Sequence, residues 1–338
     1  MKFIIVLLLV FLTACSGNTK EKERFNEVFI DLFDTIIILQ GYAYSQEEFS
    51  YFSREVVRPE LLRLHRLFDI YNEYAGLNNI STINNNAGIR PVEVDPVLIE
   101  LLKFCVEAYS HTNGAMNVAL GPVLAIWHEY RALANETLDT PPELPSMEAL
   151  QAAFSLSNIN DIIINEENNT VFLRHEGMSL NVGGIAKGFS MERAANAATA
   201  AGFLHFTLSV GGDVRTALGP PGSETGTWSV GLQDPDNLGN IFYIVHVGET
   251  SVFSSGDYQR YFYADGVRFH HIIDPQTLMP ASLFRSVTVI YPDAGLADVL
   301  STAAFIMGFD EGRALMERFG AEAVWYFYDG TLDFLWKE

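Results

Sequence analysis

The chain has 338 residues, 49% of them hydrophobic, so it can bury one large core or two ordinary ones and is not an intrinsically disordered segment. Its 42 acidic residues against 21 basic ones give a formal net charge of −21. Such a field repels nucleic acid and anionic lipid, so no nucleic-acid partner is expected, and any anionic ligand needs a local cation.

Lys2 precedes the apolar run FIIVLLLVFLTA, too short to cross a bilayer but suited to the core of a secretory signal. The run ends in Leu12-Thr13-Ala14-Cys15, which resembles the bacterial lipobox. That resemblance implies lipidation of Cys15 and a body held by its lipid anchor at the extracytoplasmic, periplasmic face of the membrane. A plain secretory signal is the alternative. Cys105 is then the one spare thiol, and no internal disulfide is expected. Residues 1–15 are thus read as signal, 16–27 (SGNTKEKERFNE) as a polar tether and 28–338 as the working domain.

Residues 28–41, VFIDLFDTIIILQG, read as one strand, and 46–70 as a helix that Pro59 kinks or breaks. The Asn- and Gly-rich stretch 72–88 reads as a loop, 96–110 as a helix with Pro96 in its first turn, and 138–147, with three prolines, as a connection between lobes. DIIIN and NTVFLRH suggest a hairpin, MSLNV a strand, and SMERAANAATAAG a helix closed by Gly202. HFTLSV, WSVGL, IFYIVHV and RSVTVIY read as further strands, 294–308 as a helix, and the last segment as a hairpin turning at Asp329-Gly330. The fold expected is α+β (mixed α/β).

Three motifs carry chemistry. In LNVGGIAKGFS (180–190) a glycine turn opens a helix and a lysine sits within it, which suits phosphate oxygens. It matches neither the P-loop nor the dinucleotide fingerprint, and a tight structural turn with a surface lysine fits it equally. In GLADVLSTAAF (295–305), Asp298 and Thr302 stand four apart on one helix face with Ser301 beside them, an oxygen set suited to Mg²⁺. An N-terminal helix aspartate and an inward-packed threonine are the plainer reading. In HHIIDPQTLMP (270–280), a histidine before an Asp-Pro turn is a candidate general base, against the plainer reading of a solvent-facing side chain. Adjacent histidines in a strand point to opposite faces, so one at most belongs to a site. GAMNVALGPVLAIW (114–127) offers Met116 and Trp127 either to an aromatic ligand or to the core.

In chain order, Tyr71, NNISTIN (78–84), GAMNVALGPVLAIW, LNVGGIAKG, SVGGD, SVFSSGDYQR (251–260), HHIIDP and ADVLSTA closely resemble the ApbE family of FAD:protein FMN transferases, from about residue 30 to residue 335. The resemblance implies strands and helices in two intimately packed lobes. It also implies an enzyme that binds FAD and Mg²⁺ and moves FMN through a phosphoester onto a Ser or Thr hydroxyl of a partner protein, a subunit of a membrane redox complex, with release of AMP. By position, Gly184, Asp298, Ser301 and Thr302 would hold Mg²⁺, and Phe33, Tyr71, Asn84, Ala115, Met116, Asn117, Asn181, Lys187 and Ile272 would contact FAD. His271 would be the base and Lys187 would neutralise phosphate charge, with Asp274 fixing the turn beside the histidine. The chain departs from the family where Asn181 and Asn117 replace aspartates and Asn78 replaces a serine. Two other readings share the site: an Mg²⁺-dependent FAD pyrophosphatase, with water as acceptor, and a flavin-binding lipoprotein without chemistry.

Overall fold

A computed structural model of the chain describes residues 21–136 and 144–336. Cys15 and the signal lie outside them, as do residues 138–143 of the proline-rich connection.

The described chain opens on a hairpin, β1 (Glu23–Leu32) and β2 (Thr35–Ala43). Two expectations are corrected here. The strand expected at 28–41 is two strands, and residues 23–27, read as tether, are paired in the sheet. Phe33 and Asp34 form the turn with φ of 56° and 51°, the left-handed pair that matches the twist of two antiparallel strands. Neither is the glycine or asparagine that usually announces such a turn.

Helix α1 (Gln46–Tyr51), a π-helical turn (Phe52–Val57) and α2 (Arg58–Phe68) run on without a break. Pro59 therefore does not interrupt the helix: it sits in the first turn of α2, just after the wider turn that accommodates its ring and its missing N–H. The loop expected at 72–88 contains α3 (Ile80–Asn85), started by a reciprocal cap between Asn79 and Thr82. Next come β3 (Val92–Glu93), the expected α4 (Pro96–His111), α5 (Gly121–Glu136) and α6 (Met147–Phe154).

The hairpin β4 (Ile162–Asn165) and β5 (Thr170–Leu173) forms as expected and takes β3 on its other edge. MSLNV is not a strand. At Leu180 a side chain takes the place of a neighbouring strand: the Asn84 amide donates to the Leu180 carbonyl (3.0 Å) and accepts from its N–H (2.7 Å), while Asn181 N–H donates to the Val118 carbonyl (2.8 Å). Helix α7 (Ala186–Ala200) begins four residues before the expected Ser190.

The remaining elements are β6 (Phe206–Val210), β7 (Asp213–Thr216), β8 (Trp228–Gln233), β9 (Ile241–Val247), β10 (Thr250–Gly256), β11 (Tyr261–Ala264), β12 (Val267–His270), β13 (Phe284–Tyr291), α8 (Ala294–Ile306), α9 (Phe309–Phe319), β14 (Glu322–Phe327) and β15 (Leu332–Leu335). Eight strands make one antiparallel sheet in the order β1-β2-β6-β7-β10-β13-β14-β15. Helices α7 and α8 lie together on one face, and the β8–β9 hairpin covers the other through Val230, Leu232, Val245 and Val247. Central β13 is buried on both faces, which is why it reads as a continuous apolar run.

The second lobe, built on α3, α4 and the small sheet, shares one core with α8, α9 and β13, so the expected lobes are inseparable. Cys105 is buried in that core, and burial pushes its thiol well above the ordinary range.

Candidate active site

At one end of the large sheet, the β1–β2 turn, the β6–β7 turn and the last residues of β10 converge on a cavity of about 850 Å³. Residues 179–187 and helix α8 floor it, while residues 69–72 and α5 flank it. Ligand cavities typically span about 300–1,000 Å³, so this one has room for a dinucleotide.

Of the two readings of the glycine turn, its backbone follows the structural one. Its amides are mostly engaged: Gly183 N–H with Asn181 Oδ1 (3.0 Å), Ile185 and Ala186 N–H with the Val182 carbonyl, and Gly188 N–H with Asp298 Oδ2 (2.8 Å). Glycine is needed at 188 because a Cβ there would lie 2.3 Å from the Ala294 carbonyl oxygen and 2.5 Å from Asp298 Cβ. The turn thus lets α7 and α8 touch, bringing Lys187 to Asp298.

Lys187 Nζ donates to Asp213 Oδ2, stands 3.6 Å from Asp298 Oδ1 and lies over the Phe253 ring at 5.0 Å. Asp213 follows Gly211-Gly212, both with positive φ, and its second oxygen accepts from Ser254 N–H (2.8 Å). The lysine is therefore not a surface residue. Burial opposes its charge, but Asp213 and then Asp298 outweigh that and hold the ammonium above its usual range. Burial raises both carboxyls, and for Asp298 the charge of Asp213 adds to the rise, with Lys187 opposing.

One turn beyond Asp298, Thr302 faces the same cavity, and its hydroxyl meets Ser255 Oγ at 3.0 Å. Ser301 does not line the cavity. Three residues on from Asp298 its side chain turns toward the sheet, where it meets Ser255 Oγ and the Asp298 carbonyl, each at 3.1 Å. Its expected place among the ligands is corrected to a support behind them.

These donors fit a hard divalent cation. All are oxygens, and two buried carboxylates share a single ammonium, leaving an excess of buried negative charge. Among the described residues there is no cluster of three or more His, Cys, Asp or Glu able to hold a metal, so hydroxyl, carbonyl or ligand oxygens would complete the shell.

The two histidines divide as strand geometry requires, but neither faces solvent as the plainer reading had it. His270 is buried, accepts from Ile272 N–H at Nδ1 (3.2 Å) and so donates from Nε2 to the Ala281 carbonyl (2.5 Å). His271 lines the cavity with Nδ1 buried and without a hydrogen-bond partner. Burial, then the charge of Arg260, pushes its imidazole down to about 3. It is a neutral, uncommitted base. Asp274 holds the following turn through Gln276 N–H and the Thr277 hydroxyl, as expected.

Phe33, Tyr71, Asn84, Ala115, Met116, Asn117, Asn181, Gly184, Lys187, His271, Ile272, Asp298 and Thr302 all line this cavity. Several of their polar groups already have work. Asn84 is committed to Leu180, and Asn117 caps the turn at Ala119 while donating to the Ser157 carbonyl. Trp127 belongs chiefly to the core, its N–H bonded to the Leu278 carbonyl. Sequence reasoning did not pick out Asp213, Ser255, Arg131 or Arg260. Asp213, Ser255 and Arg260 lay in quoted motifs, SVGGD and SVFSSGDYQR, where for Asp213 and Ser255 a charged or hydroxyl residue beside glycine was the available signal.

A half-buried lysine between two carboxylates, oxygen donors on an adjacent helix and a neutral histidine share one dinucleotide-sized cavity, an arrangement suited to phosphate oxygens. The ApbE family model matches residues 33–325, and the chain belongs to the ApbE family. It is 33% identical over 268 residues to the FAD:protein FMN transferase of Treponema pallidum, covering 74% of this chain and 71% of that protein. It is 28% identical over 298 residues to the enzyme of that name from Klebsiella pneumoniae, covering 82% and 88%. The crystal structure of an ApbE protein from Thermotoga maritima superimposes with a TM-score of 0.79 at 26% identity, over 92% of this chain and 97% of that one. The flavin transferase ApbE of Vibrio cholerae shares the fold, with a TM-score of 0.76 at 21% identity over 93% and 97%.

Proposed function

We propose that this protein is an Mg²⁺-dependent FAD:protein FMN transferase that places FMN on a Ser or Thr hydroxyl of a partner protein and releases AMP. The protein is a transferase, as its family relatives are named. The observation that carries the finer reading is the pairing, within one cavity, of an oxygen cluster around Lys187 with an unpartnered neutral His271.

His271 accepts the proton of the acceptor hydroxyl as its oxygen bonds to the FMN phosphorus. The bond from that phosphorus to the bridging oxygen breaks, and the electron pair leaves with AMP. Lys187, locked by Asp213, presents its charge to the phosphate oxygens without rearranging. Asp298 and Thr302, with the Gly184 carbonyl, would hold Mg²⁺, which when bound neutralises charge on the diphosphate. Phe33, Met116 and Ile272 supply the apolar walls for a ring system. Lipidation at Cys15 would keep this chemistry at the extracytoplasmic membrane face, beside acceptor subunits of membrane redox complexes.

Incubation with FAD, Mg²⁺ and an acceptor domain should raise the acceptor's mass by one FMN phosphoester and release an equal amount of AMP, with both products abolished by chelator. FMN and AMP without a modified acceptor would mean hydrolysis instead. Bound FAD that stays intact would reduce the protein to a flavin store.

A further inference from the structure

The cavity lining holds six carboxylates, Asp31, Asp34, Asp69, Glu129, Asp213 and Asp298, against three permanent cations, Lys187, Arg131 and Arg260. Lys187 is committed to two of the carboxylates. Arg131 and Arg260 have no ion pair among the described residues, unlike the arginines at 54, 58, 63, 174, 193, 215, 268, 285 and 313. Two guanidinium groups line one cavity without an ion-pair partner, in a protein where carboxylates outnumber cations two to one.

Arg131 is held directly, and the loop that carries Arg260 is anchored. Arg131 projects from α5 one turn after Trp127, and its guanidinium donates to His128 Nδ1 (3.3 Å), which also lies 3.3 Å from the Tyr71 hydroxyl. Arg260 ends the loop after β10, and that loop is fastened by buried Asp257, which accepts from Arg285, Arg268 (3.2 Å) and the Tyr328 hydroxyl (3.1 Å). Burial, then Arg260, lowers Arg131, and burial, then Arg131 and Arg260, lowers His128. His271 lies within the fields of Arg260, Arg131 and Lys187 alike. The base, the lysine and the two arginines therefore share one cavity lining.

We propose that Arg131 and Arg260 form the second phosphate-binding pole of this site, taking the substrate phosphate that departs with the nucleoside monophosphate. The inference rests on the proposed dinucleotide substrate. A diphosphate then spans from Lys187 to the arginine pair, with the phosphorus under attack beside His271. The planar guanidinium groups suit phosphate oxygens, and the charge that grows on the departing phosphate meets cations already in position.

The test compares the wild type with Arg131→Gln, Arg260→Gln and the double variant in Mg²⁺-containing buffer. ADP and riboflavin are titrated by calorimetry, and FAD by rapid quenching of flavin fluorescence. Each single variant should weaken ADP and FAD binding about tenfold or more, and lysine at the same positions should restore part of it. Riboflavin, which carries no phosphate, should change less than twofold, which also shows that the fold is intact. The proposal is overturned if ADP and FAD stay within twofold of wild type, if riboflavin weakens equally, or if wild-type protein does not bind ADP. Loss of transfer to a protein acceptor with unchanged ADP and FAD binding would also overturn it, assigning the arginines to an acceptor carboxylate. Because binding is read without any transfer step, failure of the transferase assay alone leaves this result standing.

Discussion

Gly188 joins the two helices that carry the site, so Gly188→Ala probes the architecture directly. Inside an ordinary helix the change would stabilise by up to about 1 kcal/mol, since alanine loses less backbone entropy and is the better helix former. Here the new methyl would lie 2.3 Å from the Ala294 carbonyl oxygen and 2.5 Å from Asp298 Cβ, about 1 Å inside normal contact with atoms that have no torsion to relieve it. Overpacking of this kind costs about 1–3 kcal/mol, and the rigidity of both neighbours puts the site at the upper end. The net loss is then about 2 kcal/mol, a fall in melting temperature of about 3 °C for a chain of this size. Activity should suffer more. Moving α7 from α8 stretches the 2.8 Å bond from Gly188 N–H to Asp298 and pulls Lys187 from its carboxylates, and an ångström of misplacement costs about 100-fold in rate. Differential scanning calorimetry and a single-turnover FMN-transfer assay give the two readouts. An alanine variant that melts at or above the wild-type temperature and transfers within threefold of it would refute the helix-contact argument.

His271→Ala should slow transfer by about 10²–10⁴-fold while leaving FAD binding largely intact. Because the folded imidazole titrates at about 3, below its ordinary 6.5, kcat/KM in the wild type should show no histidine limb between pH 5 and 8; a fall centred near 6.5 would contradict the assignment. The sign for stability follows. The unfolded chain binds the proton first, so stability is complete above about pH 6.5 and declines toward pH 3 by about 1.4 kcal/mol per unit. At pH 5 the alanine variant should therefore lose less of its neutral-pH stability than wild type, by about 2 kcal/mol in urea titrations. Phe33→Gly should relieve a left-handed residue worth about 1 kcal/mol but lose the ring's packing against the core and His65, so the melting temperature should not rise, and flavin binding should weaken because the ring lining the cavity is gone. Tighter flavin binding by that variant would exclude Phe33 from the ligand wall.

Much of this site was legible in order along the chain. Asp298 and Thr302 are four residues apart on a predicted helix, and that spacing alone puts them on one face. The Asp-Pro turn after His271 likewise fixed its surroundings locally. The β1–β2 turn was hidden because Phe33-Asp34 carries no turn signature, and Pro59 misled because the π-helical turn before it absorbs the defect. Ser301 was misplaced because helical proximity was taken for convergence, although its direction points it at Ser255.

What the sequence determined by itself was local: the elements with clear periodicity, the glycine-lysine turn, the oxygen set on α8, and an acidic balance that demands local cations for an anionic ligand. Tertiary structure decided what those residues meet. Lys187 looked like a surface cation until Asp213, 26 residues on, and Asp298, 111 residues on, closed around it. Such partners come from separate strands and helices, and only packing, which requires Gly188 to sit against Ala294, brings them within bonding distance. Arg131 and Arg260 face one cavity for the same reason: two distant segments share a wall, and no spacing within either one encodes that.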